Sequence, residues 1–172
     1  GEKVWLKRRF KEYKVNNEDI AELKLRMDSV PTSLAIAQAA KESGWGTSRF
    51  ALEGNAMFGQ WTWGKDGIEP AEKDKNRDHK ILKFPMIRSS VKSYLHNLNT
   101  HRGYREFREK RGELRNSNQK ISGLDLVKYL YNYAATGADY TKVLKKIITQ
   151  NDLTDFDNSV LMNSSRSSSL TL

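Results

Sequence analysis

Apolar residues recur at helical spacing in six stretches of the chain, which predicts a mostly helical protein. In the clearest stretch, 139–149, apolar side chains lie three and four positions apart and form one stripe. The stretches with this spacing are 18–27, 32–43, 89–98, 104–114, 122–133 and 139–149. We expect each of them to form a helix that buries one face in a common core.

Residues that favour helix starts stand at the beginning of several of these stretches. Asn16 or Asn17 is placed to cap the helix over 18–27, and Ser89 or Ser90 is placed to cap the helix over 89–98. Pro31 precedes the stretch 32–43, and proline suits the first turn of a helix. These signals divide the helical pattern into separate elements.

Residues 60–85 break the helical pattern and predict a small β-lobe. Trp61, Thr62 and Trp63 alternate in character, glycines follow, and apolar residues return at 81–84. The charged middle of this segment, 69–80, is typical of a loop. We therefore predict an α+β fold that is mainly α, with an N-terminal arm at 1–15, one domain at 16–157 and a flexible tail at 158–172.

Composition adds a basic surface and excludes some chemistry. The 172 residues carry a formal net charge of +9, which favours an anionic partner such as nucleic acid or a cell-wall polymer. There is no cysteine, so disulfides and thiolate metal sites are excluded. His96 and His101 are five residues apart, a spacing that suits no metal pair. We expect no cofactor, no metal and no membrane span, and a monomer.

Glu42 is the most informative single residue. It ends an alanine-rich stretch and is followed at once by Ser43, Gly44, Trp45 and Gly46. Small side chains let a helix pack closely, so this helix is expected to be buried, with Gly44 ending it. A carboxylate at the end of a buried helix is unfavourable unless it is paired or stays protonated. A half-buried carboxyl beside aromatic rings is the setting for a general acid that acts on a sugar.

The string AQAAKESGWG at 37–46, followed by GNAMFG at 54–59, resembles the glucosaminidase family of peptidoglycan hydrolases. The resemblance covers roughly residues 30–153, and the segment SVKSYLHNLNTH at 90–101 is similar to the Bax-type members from Gram-negative bacteria. It implies a lysozyme-like helical domain with a small β-hairpin lobe. It also implies cleavage of the bond between N-acetylglucosamine and N-acetylmuramic acid in peptidoglycan, with Glu42 as the catalytic acid.

The resemblance also implies a set of cleft residues and a location in the cell envelope, either periplasmic or secreted. The printed sequence contains no signal peptide, and that observation decides nothing about the compartment. Sugar rings stack on exposed aromatic rings, although only one of two alternating tryptophans in a strand faces the cleft. The residues expected to bind substrate are Trp45, Asn55, Phe58, Gly59, Trp61, Trp63 and Glu72.

A second catalytic group is less clearly marked than Glu42. The family places another acidic residue in the β-lobe, and Glu69 is favoured because it follows Gly67 and Ile68 near an expected strand. A single Glu is also sufficient if the N-acetyl group of the substrate attacks the anomeric carbon. Both possibilities stay open at this point.

Tyr133 is the third candidate catalytic residue. Members of the family carry two tyrosines separated by a short turn, and Tyr133 and Tyr140 match those positions. Tyr133 is expected to hydrogen-bond the substrate or transition state, and Tyr140 to lie in the core. The Bax-type pattern has Ser-Glu-Arg-Gly after the first tyrosine, whereas this chain has Ala-Ala-Thr-Gly at 134–137, so any role of that Glu and Arg is missing here.

Other functions are compatible with parts of the pattern. A lytic transglycosylase or muramidase would use the same scaffold and one Glu, but would attack the other linkage. A non-catalytic glycan-binding module would keep the fold without the chemistry. A nucleic-acid-binding domain gains support from net charge alone, since the basic residues form no compact motif.

Overall fold

The structure of the protein is a computed structural model that describes residues 1–62, 67–69 and 80–160. Within these residues the chain forms a helical domain with a small antiparallel sheet, so the prediction of a mainly α, α+β fold is confirmed. The α-helices are α1 (Glu2–Glu12), α2 (Ile20–Arg26), α3 (Thr32–Ser43), α4 (Arg49–Gly54), α5 (Ile87–Thr100), α6 (Arg105–Asn116), α7 (Gly123–Leu126) and α8 (Ala138–Gln150). Short 3-10 helices span Arg102–Tyr104, Val127–Leu130 and Leu153–Asn158.

The sheet lies where the sequence predicted the β-lobe. Its strands are β1 (Trp61–Thr62), β2 (Gly67–Ile68) and β3 (Lys80–Leu82), in the order β1–β3–β2 with both pairings antiparallel. Ile81 in the central strand is opposite both Trp61 and Ile68, and it is buried with Ala56 and Phe84. This contact anchors the lobe to the segment that follows α4.

Helix α3 lies in the centre of the main core. It packs against α7, α8 and the 3-10 helix Leu153–Asn158. Leu34 and Ala37 of α3 are fully buried with Leu98, Phe107 and Leu144 from other helices. The alanines of α3 allow this close packing because they project little beyond the backbone. The buried helix predicted from the alanine-rich stretch is thus present.

The predicted cap of α2 is wrong. Helix α2 begins at Ile20, and the carboxylate of Asp19 accepts hydrogen bonds from the backbone N–H groups of Ala21 and Glu22, at 2.8 and 3.2 Å. Asn16 and Asn17 lie too far upstream for this role. Aspartate and asparagine are about equally good caps, so composition alone did not distinguish them.

The predicted cap of the helix over 89–98 is also wrong. Helix α5 begins at Ile87, and Ser90 is already inside its first turn. The Ser90 hydroxyl is buried and accepts a hydrogen bond from the backbone N–H of Met57, at 3.2 Å. This serine therefore connects α5 to the loop that follows α4.

Two segments differ from the predicted helices. The stretch 122–133 changes after Leu126 from an α-helix to a 3-10 helix, in which Val127 and Leu130 share one buried face because their spacing is three. The segment 1–15 contains the helix α1, where the sequence suggested only an arm. Phe10 of α1 packs with Val15 and Leu23, which holds α1 against α2.

Asp157 fixes the N-terminal end of α3 from a distant part of the chain. Its carboxylate accepts hydrogen bonds from the backbone N–H and the hydroxyl of Ser33, both at 2.8 Å, and from the backbone N–H of Gly123 at 3.1 Å. Pro31 precedes α3 and has no side-chain donor or acceptor for capping. The distant carboxylate therefore accepts a hydrogen bond from a backbone N–H in the first turn of α3, as a capping side chain would.

Replacement of Asp157 with Ala is expected to lower the free energy of unfolding by about 1–2 kcal/mol, because the backbone N–H of Ser33 loses its capping partner and that of Gly123 keeps only the Ser33 hydroxyl. Urea denaturation followed by circular dichroism measures this change. Asp155→Ala in the same 3-10 helix is the control, since the Asp155 side chain is exposed. Equal losses in the two variants would contradict the capping role of Asp157.

Candidate active site

The candidate catalytic residue lies in the last turn of α3. Helix α3 ends at Ser43, and Gly44 follows with a φ of +58°, in the left-handed region that glycine adopts without strain. The Ser43 hydroxyl accepts a hydrogen bond from the backbone N–H of Gly46 at 2.8 Å, which closes a tight turn. The helix end predicted at Gly44 is confirmed. Glu42 is thereby held at the end of a central helix, one residue before the chain reverses.

The Glu42 carboxyl group is half-buried and in contact with the loop after α4. A side chain on Gly59 would place its Cβ 3.5 Å from Oε2 of Glu42, so the Gly59 backbone passes directly over the carboxyl group. Burial raises the pKa of Glu42, and this effect exceeds the opposing influences of a hydrogen bond from Tyr140 and the positive charge of Lys41. The protonated form of Glu42 is therefore favoured relative to a solvated glutamate.

Aromatic rings surround this end of α3. Phe58 stacks on Tyr94 with ring centroids 3.9 Å apart and planes 9° apart. Tyr133 stacks on Tyr140 with centroids 5.5 Å apart, and Tyr104 lies 6.0 Å from Tyr133. Burial raises the pKa of Tyr104, Tyr133 and Tyr140, and the negative charge of Glu42 adds to each shift.

Tyr133 has a defined hydrogen bond in this cluster. Its hydroxyl donates to the backbone carbonyl of Phe58 at 3.1 Å. Burial raises the pKa of Tyr133 well above its ordinary value, with smaller contributions from Tyr94, Tyr140 and Glu42. Tyr133 is therefore neutral at physiological pH and is positioned against the loop that covers Glu42. Its role towards a substrate stays a prediction.

The other candidate cleft residues have different environments. Asn55 follows α4 with a φ of +50°, and its Nδ2 donates to the backbone carbonyl of Phe84 at 3.0 Å, so it joins α4 to the end of the β-lobe. Phe58 is buried, whereas Trp45 has 62% of its surface exposed. Phe58 therefore forms part of the apolar surroundings of the site, and Trp45 presents an open aromatic surface.

The candidates in the β-lobe are only partly described. The Trp61 backbone lies in β1, opposite Ile81. Trp63 and Glu72 lie outside the described residues. Glu69 directly follows β2; its carboxylate lies 3.7 Å from the Lys80 ammonium group, and the Arg49 guanidinium donates to its backbone carbonyl. The catalytic role of Glu69 stays a prediction.

Sequence reasoning missed a buried polar chain beneath Glu42. The Tyr94 hydroxyl donates to Oε1 of Gln38 at 2.7 Å, and Nε2 of Gln38 donates to the Tyr140 hydroxyl oxygen at 2.9 Å. Tyr140 in turn acts on the Glu42 carboxyl group, whose pKa it lowers against the larger effect of burial. The available signal was that Gln38 precedes Glu42 by four residues and thus shares its helix face. Tyr140 is buried as predicted, but it also contacts the candidate acid.

No cluster of three metal-ligating side chains is present among the residues that the structure describes. Over the same residues, every helix is too short or too polar to cross a membrane.

A half-buried carboxyl group of raised pKa, at the end of a central helix and beside a small β-lobe, is an arrangement suited to glycosidases. The Glucosaminidase family model, described as mannosyl-glycoprotein endo-beta-N-acetylglucosaminidase, matches residues 18–153. The chain belongs to this family, which confirms the family predicted from the sequence motifs.

A curated relative of the chain is the protein bax of Escherichia coli strain K12. The two are 34% identical over 119 residues, which is 69% of this chain and 42% of that protein. The chain thus spans less than half the length of this relative. No solved structure matches the chain.

Proposed function

We propose that this domain hydrolyses the β-1,4 bond between N-acetylglucosamine and N-acetylmuramic acid in peptidoglycan, with Glu42 as the general acid. The observation that supports this most directly is the raised pKa of Glu42, which results from its burial at the end of α3. Membership of the Glucosaminidase family supports a glycosidase in general. The particular bond follows from the resemblance of residues 37–46 and 54–59 to peptidoglycan hydrolases.

The leaving oxygen of a glycosidic bond needs a proton, which a carboxyl group supplies only if it is still protonated at the working pH. Burial raises the pKa of Glu42 and so favours its protonated form. The transition state also resembles an oxocarbenium ion and needs stabilisation. In our proposal, either the Glu69 carboxylate or the N-acetyl group of the substrate supplies it, while Tyr133 hydrogen-bonds the substrate.

Features around the site are compatible with a long glycan as substrate. The exposed ring of Trp45 follows Glu42 by three residues and offers a face on which a pyranose stacks. Trp61, Trp63 and Glu72 of the β-lobe are proposed to extend this surface. The net charge of +9 would help the domain hold an anionic wall polymer. We accordingly propose that the domain acts as a monomer in the cell envelope.

Digestion of purified peptidoglycan, followed by borohydride reduction and mass spectrometry of the soluble fragments, tests which bond is cleaved. We expect fragments that end in reduced N-acetylglucosamine. This result follows if water attacks the anomeric carbon of N-acetylglucosamine after Glu42 protonates the leaving oxygen. The Glu42→Gln variant, prepared in parallel, is the blank for contaminating hydrolases.

Other products would overturn the proposed bond specificity. Fragments that end in 1,6-anhydro-N-acetylmuramic acid would identify a lytic transglycosylase, and reduced N-acetylmuramic acid would identify a muramidase. Binding to peptidoglycan without release of fragments would indicate a non-catalytic glycan-binding module.

A further inference from the structure

Three buried side chains are joined by hydrogen bonds near the end of α3 that carries Glu42. Gln38 and Tyr94 are fully buried, and Tyr140 is 3% exposed. Hydrogen bonds run from the Tyr94 hydroxyl to Gln38 at 2.7 Å and from Gln38 to the Tyr140 hydroxyl at 2.9 Å, one helical turn before Glu42 in α3. The three residues come from α5, α3 and α8, so the chain of bonds crosses the centre of the core.

The donor and acceptor atoms of each side chain set the direction of these hydrogen bonds. Tyr94 donates its one hydroxyl hydrogen to Oε1 of Gln38, which turns Nε2 of the amide towards Tyr140. Nε2 is a donor only, so the Tyr140 oxygen accepts from it and the Tyr140 hydrogen is left for Glu42. If the amide were reversed, its oxygen would take the Tyr140 hydrogen away from Glu42.

We propose that Gln38 is a positioning residue that, together with Tyr94, holds Tyr140 as a hydrogen-bond donor to Glu42. One carboxyl oxygen of Glu42 then accepts from Tyr140. The acidic hydrogen is carried by the other oxygen, where it is available to the glycosidic oxygen. This inference rests on the proposed function in so far as Glu42 is the acid, but the hydrogen-bond chain itself does not depend on the substrate.

Few other titratable groups among the described residues act on Glu42, so the effect of the hydrogen bonds through Gln38 can be measured from the titration of Glu42. In the described part of the chain, Lys41 is the charged group that acts on the pKa of Glu42 from its own helix. The facing groups from other elements are Tyr104, Tyr133 and Tyr140, and burial raises the pKa of each, so they are neutral. A change in the titration of Glu42 in a Gln38 variant therefore reports on the hydrogen bond from Tyr140.

The test is a titration of Glu42 by NMR in protein labelled with carbon-13 at the glutamate carboxyl groups. We expect the Glu42 midpoint to rise by about half a pH unit in Gln38→Met, because Met fills a similar volume but cannot donate to Tyr140. Tyr140→Phe should raise it at least as much. In the double variant, Gln38→Met should add nothing to the effect of Tyr140→Phe.

Two further variants keep the test decisive. Thr141→Val is the matched control, since the Thr141 hydroxyl donates to the Ala138 carbonyl on the same helix and not to Glu42. Its Glu42 midpoint should equal that of the wild type. Tyr94→Phe removes a single hydroxyl group and should shift the midpoint in the same direction as Gln38→Met. It replaces Gln38→Met if that variant does not fold.

Activity measurements separate this inference from the proposed function. In Gln38→Met we expect a lower kcat with little change in KM, and an alkaline limb of the kcat/KM profile that moves to higher pH. A shifted Glu42 midpoint in a protein that releases no glycan fragments would support the role of Gln38 and Tyr140, but it would refute the proposed hydrolase activity. An active enzyme in which Gln38→Met moves neither the midpoint nor the alkaline limb would overturn the role of Gln38.

Discussion

Replacement of Glu42 with Gln is expected to lower the rate of peptidoglycan hydrolysis by about 10²–10⁴-fold, because the side chain keeps its shape but can no longer transfer a proton. The measurement is the release of reducing ends from purified peptidoglycan under single-turnover conditions. Glu53→Gln is the matched control, since Glu53 is an exposed glutamate in α4, and its rate should equal that of the wild type. Wild-type activity in Glu42→Gln would refute the proposed acid.

The same variant should be more stable than the wild type at neutral pH. Burial raises the pKa of Glu42 above its ordinary value of 4.5, so the folded protein binds a proton more tightly at this site than the unfolded chain does. The native state therefore loses stability as the pH rises from the unfolded pKa to the raised folded pKa. Glu42→Gln carries no charge at any pH and avoids this loss.

Thermal unfolding between pH 4 and pH 8 measures the difference. We expect the Tm values of Glu42→Gln and the wild type to converge towards pH 4, where Glu42 is mostly protonated in both the folded and the unfolded state. At higher pH the variant should melt at the higher temperature. A lower Tm for the variant at pH 8 would mean that the ionised carboxylate of Glu42 stabilises the fold, contrary to the burial described here.

The sequence predicted the position of Glu42 because the evidence for it is local. An alanine-rich helix, an acid in its last turn and a glycine after its end all lie within a dozen residues, and the structure places them as expected. The β-lobe was predictable for the same reason, since its alternating residues and glycines are consecutive. Local patterns of this kind need no knowledge of which elements pack together.

The surroundings of Glu42 could not be predicted in this way. Gln38 and Tyr140 are separated by 102 positions, and Gln38 and Tyr94 by 56. The cap of α3 comes from Asp157, which is 124 positions from Ser33. Which polar groups meet in a core is decided by the packing of helices, and helical periodicity marks only which face is buried. The apolar stripe therefore identified Tyr140 as a core residue, but it did not indicate what its hydroxyl group contacts.

Arg111 of α6 illustrates the same limit. Arginine is rarely fully buried, yet Arg111 shares the inward face of α6 with Phe107 and is fully buried. Its guanidinium group donates to the backbone carbonyls of Leu25, Asp28 and Ser29 at 2.6, 3.2 and 3.1 Å, and to Oδ1 of Asn99 at 2.8 Å. Burial lowers the pKa of Arg111 to about 10, so the group is still charged at neutral pH.

These acceptors explain why the charge is tolerated. Leu25 belongs to α2, and residues 28 and 29 form the connection that leads into α3. A guanidinium group has five N–H donors in a planar arrangement, which suits several carbonyls at once. The Asp28 carboxylate, 3.4 Å from Arg111, supplies the opposite charge. Arg111 therefore connects α6 to the entry of the helix that carries Glu42.

Replacement of Arg111 with Met is expected to lower the free energy of unfolding by about 3–5 kcal/mol, because one partner of a buried ionic network is removed and its acceptors stay buried. Arg111→Lys should recover only part of this loss, since an ammonium group cannot reach all the acceptors in one plane.

Arg105→Met in the same helix is the matched control. The Arg105 side chain is 79% exposed and pairs with Glu109 four residues on, so its replacement should leave the stability close to that of the wild type. Urea denaturation of the three variants measures these values. A stability of Arg111→Met equal to that of Arg105→Met would show that the entry to α3 is held without the buried guanidinium group.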